Sequence, residues 1–193
     1  MQLIFASANE HKITEIRQLL PAGYELLSLA DIGFHDEIPE TAATIEGNAR
    51  LKAQFLADKG MAACFADDTG LVTSGLNGEP GVYSARYAGE AKNADDNMDL
   101  VLSKLDGNPD RSAYFITVIA LWIGGEMHIF RGRVDGTILT EKRGTHGFGY
   151  DPIFQPIGYS KTFAEMTSEE KNALSHRGRA LQQMMAFLKN QLN

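Results

Sequence analysis

Two groups of side chains, far apart in sequence, have the types and spacing that phosphate chemistry needs. After the apolar run Leu3-Ile4-Phe5-Ala6 the chain reads Ser7-Ala8-Asn9-Glu10-His11-Lys12. It then passes directly into an amphipathic segment with Ile13, Ile16, Leu19 and Leu20 on one face. A strand feeding a polar turn at a helix N-terminus is an anion site, because free backbone N–H groups and the helix dipole both point at the ligand. Lys12 adds a positive charge there. Far downstream, Gly147-Phe148-Gly149-Tyr150-Asp151-Pro152 and Ser175-His176-Arg177-Gly178 supply aromatic faces, a carboxylate and cationic donors. Such a set can grip a planar base and its phosphates.

The acidic candidates are Glu40 and the pair Asp67-Asp68. Asp68 is expected where a short strand over 64–66 gives way to a turn at Asp67-Asp68-Thr69-Gly70, a usual place for a ligand-binding carboxylate in α/β sheets. Mg²⁺ is held by one or two carboxylates plus water and substrate phosphates, so an acidic pair facing a phosphate loop suffices for it. Asp67 reads as a cap of the turn, and Glu46 as part of a solvated helix face. Lys52 lies twelve residues after Glu40 and either points inward or snorkels out to solvent.

Several chemistries have no support. His11, His35, His128 and His146 lack metal-ligand spacing, so zinc is not expected. No Gly-x-Ser-x-Gly context surrounds Ser7, Ser84 or Ser175, and the Walker pattern is absent. The single cysteine, Cys64, sits in the apolar run Ala62-Ala63-Cys64-Phe65-Ala66 and reads as a buried, inert thiol.

The elements that must position these residues follow from periodicity and turn signals. A strand is predicted over 3–6, a helix over 11–20 closed by Pro21 and Gly23, and a second strand over 25–29, giving a β-α-β start. Apolar spacing at Ile45, Ala49, Ala53 and Leu56, with Gly60 as a stop, predicts a helix over 44–59 that places Glu40 just upstream. A further helix is predicted over 93–105. The β-branched and aromatic stretch 114–123 and the stretch 127–134, joined through Gly124-Gly125, form an expected central hairpin. The glycine-dense segment 143–150 reads as a functional loop. Thr167-Ser168-Glu169-Glu170 resembles a capping box, and the last helix is drawn from Ser175 to Leu192 with Leu181, Met184, Met185 and Leu188 inward. The expected fold is one α/β domain over residues 1–193, a mixed twisted sheet flanked by helices with a cleft receiving the loops.

At 193 residues with a formal net charge of −7, the chain can bury a sizeable core but lacks the basic balance of a duplex-binding protein. No nucleic acid polymer is expected as a partner. A small polyanion remains allowed, because clustered Lys and Arg with a bridging cation can serve it on an acidic protein. No tract is long enough to cross a bilayer and no secretory signal is read, so no membrane partner is expected and the cytoplasm is the expected location.

The motifs, taken in order, point to a family. They are Ser7-Ala8-Asn9-Glu10-His11-Lys12; Glu40-Thr41 leading into Asn48-Ala49 and Lys52-Ala53; Ala66-Asp67-Asp68-Thr69-Gly70-Leu71; and Pro80-Gly81-Val82-Tyr83-Ser84-Ala85-Arg86-Tyr87. Gly147-Phe148-Gly149-Tyr150-Asp151-Pro152 and Lys171-Asn172-Ala173-Leu174-Ser175-His176-Arg177-Gly178 complete the set. Together they cover almost the whole chain and resemble the Ham1/RdgB family, the inosine/xanthosine triphosphate pyrophosphatases. The resemblance implies Mg²⁺-dependent hydrolysis of non-standard purine nucleoside triphosphates (ITP, dITP, XTP) to monophosphate and pyrophosphate. It implies an elongated mixed sheet with a nucleotide-binding cleft between two lobes, assembled as a homodimer.

By the matched positions, Ser7, Ala8, Asn9, Glu10, His11 and Lys12 would hold the triphosphate. Asp68 would bind the metal and activate the attacking water, Glu40 would help the metal, and Thr69 would touch substrate. Phe148, Gly149, Tyr150, Asp151, Lys171, His176 and Arg177 would recognise the nucleotide, with Lys52 and Arg86 near the phosphates. One position departs from the pattern. Gly47 stands in Thr44-Ile45-Glu46-Gly47-Asn48-Ala49 where many members carry glutamate, so no metal role transfers to it. Three other readings share parts of this pattern: a pyrophosphatase of other modified nucleotides, a phosphatase releasing orthophosphate, and a non-catalytic nucleotide sensor.

Overall fold

The computed structural model describes residues 1–191, except for the side chains of His11, Glu15 and Gln18. Its centre is an open six-stranded mixed sheet in the order β2-β1-β3-β4-β5-β6. The strands are β1 (Gln2–Phe5), β2 (Glu25–Ser28), β3 (Ala63–Thr73), β4 (Ser112–Ile123), β5 (Glu126–Ile138) and β6 (Phe154–Pro156). β1 runs parallel to both β2 and β3, whereas β5 and β6 are antiparallel. The helices are α1 (Glu10–Leu19), α2 (Ile45–Asp58), α3 (Ala94–Lys104), α4 (Ser168–Leu174) and α5 (His176–Asn190). The last helix ends two residues short of its predicted limit, and Leu192 lies outside the described residues.

Helix ends follow their caps. Asn9 accepts from the Lys12 amide, Thr44 from Gly47 and Asn93 from Asp95 and Asp96, each satisfying donors that the first turn leaves open. Thr167 and Glu170 form the reciprocal capping box at the start of α4.

Two compact units are present, each assembled from separated stretches. The first comprises Met1–Asp68, Val118–Arg131 and the C-terminal segment from Ala180; the second comprises Thr69–Thr117 and Gly132–Arg179. Each has its own core. In the first unit Leu3, Phe5, Ile13, Ile16, Phe65, Leu181 and Met184 pack together, with the rings of Phe5 and Phe65 stacked at 4.6 Å. In the second, Leu71, Val101, Phe115, Ile138, Phe154 and Phe163 do so.

The turn expected at Asp67-Asp68-Thr69-Gly70 is not there: the whole segment is strand, inside an eleven-residue β3. The partner on one side, β1, ends at Phe5, and Ala6 closes that ladder by donating to the Phe65 carbonyl at 2.8 Å. On the other side β4 is long enough to hold β3 in the sheet, and the hydroxyls of Thr69 and Thr117 meet at 2.7 Å. β3 therefore carries its two aspartates past the end of β1.

Candidate functional site

In the first unit, the segment after β1 folds back on itself. The Asn9 amide donates to Ser7 Oγ at 3.2 Å, and Asn9 Oδ1 accepts from the Lys12 amide. Ser7 is half-buried, and Ala8, Asn9 and Glu10 are exposed around the N-terminus of α1. The His11 side chain lies outside the described residues. Lys12 reaches Asp67 on β3, its ammonium 2.8 Å from both carboxylate oxygens. Asp67 is thus a buried partner of Lys12 and not the cap of a turn, because the strand continues through it.

Lys52, one face of α2 inward, is 7 % exposed despite its charge. Its ammonium donates to Glu40 at 2.8 Å and lies 3.6 Å from Asp68, so the residue points inward rather than snorkelling. Burial alone would lower the Lys52 pKa, but the charges of Asp68 and Asp67 and the bond to Glu40 outweigh it, and the net shift is upward. Asp68 moves in the same direction. Burial raises its pKa first, Lys52 opposes, and the negative charges of Glu40 and Asp67 add to the rise, with an Asn48 hydrogen bond pulling back. Asn48 itself is 3 % exposed and accepts from the Ala42 amide at 2.9 Å, so it joins the Glu40 segment to α2. That role was visible in the sequence only as part of a motif.

This donor set suits a small hard cation. Asp68 and Glu40 offer oxygen ligands around one ammonium, and the crowding of negative charge that lifts the Asp68 pKa is relieved by a cation. No group of three or more His, Cys, Asp or Glu side chains converges as a metal cage among the described residues. A site for Mg²⁺ here would be completed by water and substrate. Gly47 contributes no ligand. A Cβ there would come within 2.7 Å of the Ala42 Cβ and 2.8 Å of Thr44 Oγ1, so this turn of α2 is packed against the Glu40 segment. Glu46 is held by Arg131 and Arg50 rather than left to solvent alone. Cys64 lies in the same unit, its thiol pushed up to about 12 by burial, which fits an inert side chain.

The second unit carries the aromatic and cationic set. Asp151, 2 % exposed, accepts from the Phe148 amide at 2.8 Å and from the Lys171 ammonium at 2.5 Å, both on Oδ2. Gly147 has a φ of +79°, and a Cβ there would lie 2.1 Å from Asp151 Oδ2, so only glycine lets the carboxylate fold under the loop. Above this anchor the Phe148 ring is 55 % exposed. Lys171 Nζ stands 4.5 Å and Arg177 Cζ 5.3 Å from its centroid. Ser175 Oγ accepts from the Gly178 amide and caps α5, and Gly178 fits because a Cβ would meet the Asn172 carbonyl at 2.1 Å.

Three further residues of this unit are held by protein partners. His176 is 4 % exposed, with its ring stacked on Phe115 at 4.6 Å. Tyr150 is 5 % exposed, with its hydroxyl bonded to the Ser84 carbonyl at 2.7 Å, and burial pushes its pKa up. Arg86 ends the 3₁₀ turn Gly81–Arg86, its guanidinium 5.6 Å from the ring of exposed Tyr83. Thr69 is half-buried on β3, beside Thr117. Gly149, half-buried, lies between Phe148 and Tyr150. No helix among the described residues is long and apolar enough to cross a membrane.

The model of the Ham1 family matches residues 3–187 of the chain. A protein of Flavobacterium psychrophilum called dITP/XTP pyrophosphatase is 55% identical over 190 residues, 98% of this chain and 100% of that one. A Bacillus subtilis protein of the same name is 46% identical over 191 residues, covering 97% of this chain and 96% of its own. Among solved structures, the Ham1 protein of Staphylococcus aureus superposes with a TM-score of 0.94 at 38% identity, over 99% of this chain and 100% of that one.

Proposed function

Because the chain belongs to the Ham1 family, we propose that it hydrolyses non-standard purine nucleoside triphosphates, ITP, dITP and XTP, to the monophosphate and pyrophosphate. The observation that carries this reading is the buried Lys52 ammonium held between Glu40 and Asp68. A lysine and two carboxylates so arranged can manage polyphosphate charge and leave one carboxylate to act as a base. Asp68 and Glu40 are the residues that would hold Mg²⁺, which would supply neutralisation of the triphosphate charge when bound.

The chain's own residues do the rest. The backbone donors of Ser7 to Lys12 receive phosphate oxygens at the α1 N-terminus. Lys52 fixes Glu40 and Asp68 and offsets negative charge as it accumulates at the reacting phosphorus. Asp68 orients a water for attack at the α-phosphorus and takes its proton. The bond from that phosphorus to the bridging oxygen breaks, and pyrophosphate leaves with the electron pair.

Selection among bases falls to the second unit. The exposed Phe148 ring offers a stacking face, Lys171 and Arg177 stand beside it, and donors from His176, Arg177 or the loop backbone match a 6-oxo group. Opposite the amine of adenine those donors would be left without acceptors, which is the basis for sparing ATP. The reading extends to a homodimer acting in the cytoplasm on the free nucleotide pool. Incubation with Mg²⁺ and each of ITP, dITP, XTP, ATP and GTP, with pyrophosphate and orthophosphate assayed separately, tests it. Monophosphate plus pyrophosphate from the first three substrates, with ATP spared, is expected; orthophosphate release, or equal turnover of ATP, would refute it.

A further inference from the structure

We propose that Tyr150 is a positioning residue that couples the Phe148 loop to the turn carrying Arg86, and not a group that touches the nucleotide. The inference rests on the functional reading above for what Phe148 and Arg86 do, but its geometry lies within the second unit. The Tyr150 hydroxyl is buried and donates to the Ser84 carbonyl at 2.7 Å. Ser84 stands two residues before Arg86 in the same 3₁₀ turn.

Both ends of this bond are rigidly held. On the turn side, Ser84 Oγ accepts from the Leu71 amide at 2.9 Å and donates to the Gly81 carbonyl at 2.6 Å, tying the turn to β3 just past Thr69. Asn97 of α3 donates to the Ala85 carbonyl at 3.1 Å and accepts from the Ala88 amide at 2.6 Å, so the peptide that enters Arg86 and the one that leaves Tyr87 are also fixed. On the loop side, Tyr150 lies inside the turn that Asp151 closes through the Phe148 amide, and the Ile153 amide donates to the Tyr150 carbonyl at 3.1 Å. Movement of the tyrosine ring therefore drags the backbone that presents Phe148. One side chain sets the base-stacking ring and the phosphate-side arginine in a common frame, across 66 residues of sequence. Since side chains held by such secondary contacts reach their working geometry only when the support is present, losing the bond loosens the two segments relative to each other.

Tyr150→Phe tests this, because it keeps the ring and its packing and removes one oxygen. Hydrogen exchange of the nucleotide-free protein is expected to quicken about fivefold in both 81–88 and 145–151, the scale of one lost hydrogen bond, with the first unit unaffected. In turnover of ITP, KM should rise about three- to tenfold while kcat changes less, and the same substitution should cost less in an Arg86→Gln background because the coupled group is already gone. Faster exchange in only one segment, or in neither, would overturn the coupling. A uniform rise across the whole chain would also overturn it, as the mark of a general loss of stability. Should the wild type fail to release pyrophosphate from ITP, the functional reading falls, while the exchange result still decides the coupling.

Discussion

Asp151→Asn isolates the charge beneath the Phe148 loop. Both contacts of Asp151 fall on one oxygen, from Lys171 at 2.5 Å and the Phe148 amide at 2.8 Å, so an asparagine with its oxygen in that place keeps the shape and loses only the negative charge. The carboxylate side chain is 3% exposed and that of Lys171 13%, which leaves little solvent to compensate. At an effective dielectric of about 20 the gross attraction is about 7 kcal/mol. Most of it is cancelled by the desolvation of the two ions. Both bonds lose the anionic acceptor and Lys171 keeps a buried charge with no counter-ion beneath the loop, which gives a net loss of about 2–3 kcal/mol.

For a chain of this length that lowers Tm by roughly 4–12 °C, readable by calorimetry in nucleotide-free buffer. Steady-state kinetics should show the KM for ITP raised about tenfold, the equivalent of about 1.4 kcal/mol, because the anchor beneath Phe148 is weakened. Asp151→Asn combined with Lys171→Met removes the stranded cation and should recover at least half of the lost Tm. A Tm within about 1 °C of wild type for the single variant, or a double variant less stable than the single, would refute the reasoning.

Asp68→Asn should lower turnover by roughly 10²-fold or more, the scale of a positioned base, and near wild-type activity would remove Asp68 from that role. The same variant carries a stability signature. The folded-state pKa of Asp68 lies above 3.8, so between 3.8 and that raised value the folded protein binds the extra proton and wild-type stability falls as pH rises. The metal-free variant should therefore melt higher than wild type at pH 7, with the gap closing below pH 4; a lower Tm at pH 7 would contradict the burial argument. Gly47→Glu forces a Cβ against Ala42 and should cost about 1–3 kcal/mol, measured by denaturant unfolding, and an unchanged midpoint would show that the Glu40 segment gives way freely. Chelation should abolish turnover and Mg²⁺ restore it; full activity in chelator would exclude the metal role of Asp68 and Glu40.

Local chemistry was well written in the sequence. The capping box expected at Thr167–Glu170 starts α4, and the glycine pair at 124–125 joins β4 to β5 as expected. The error at Asp67 and Asp68 has a physical origin. Aspartate is depleted in strands, so two in a row before Thr-Gly read as a turn, whereas Lys12 and Lys52 supply the charges that let a strand keep them. Those lysines lie 55 and 16 positions away, and no periodicity reports such pairings. The bond from the Tyr150 hydroxyl to the Ser84 carbonyl is equally invisible to the sequence, because its partner lies 66 residues away. His176 likewise carries its stacking on Phe115 from β4, a neighbour set by the sheet and not by spacing. The short β6 was missed because Phe154-Gln155-Pro156 is too brief to show alternation.

The central claim, that water attacks the α-phosphorus of a 6-oxo purine triphosphate, is tested most directly by turning over ITP with Mg²⁺ in water labelled with heavy oxygen and weighing the products. One labelled oxygen in the monophosphate, with unlabelled pyrophosphate, is the result this account expects. Label in the pyrophosphate would move the attack to the β-phosphorus, and label in orthophosphate beside a diphosphate would move it to the γ-phosphorus; either would contradict the role given to Asp68.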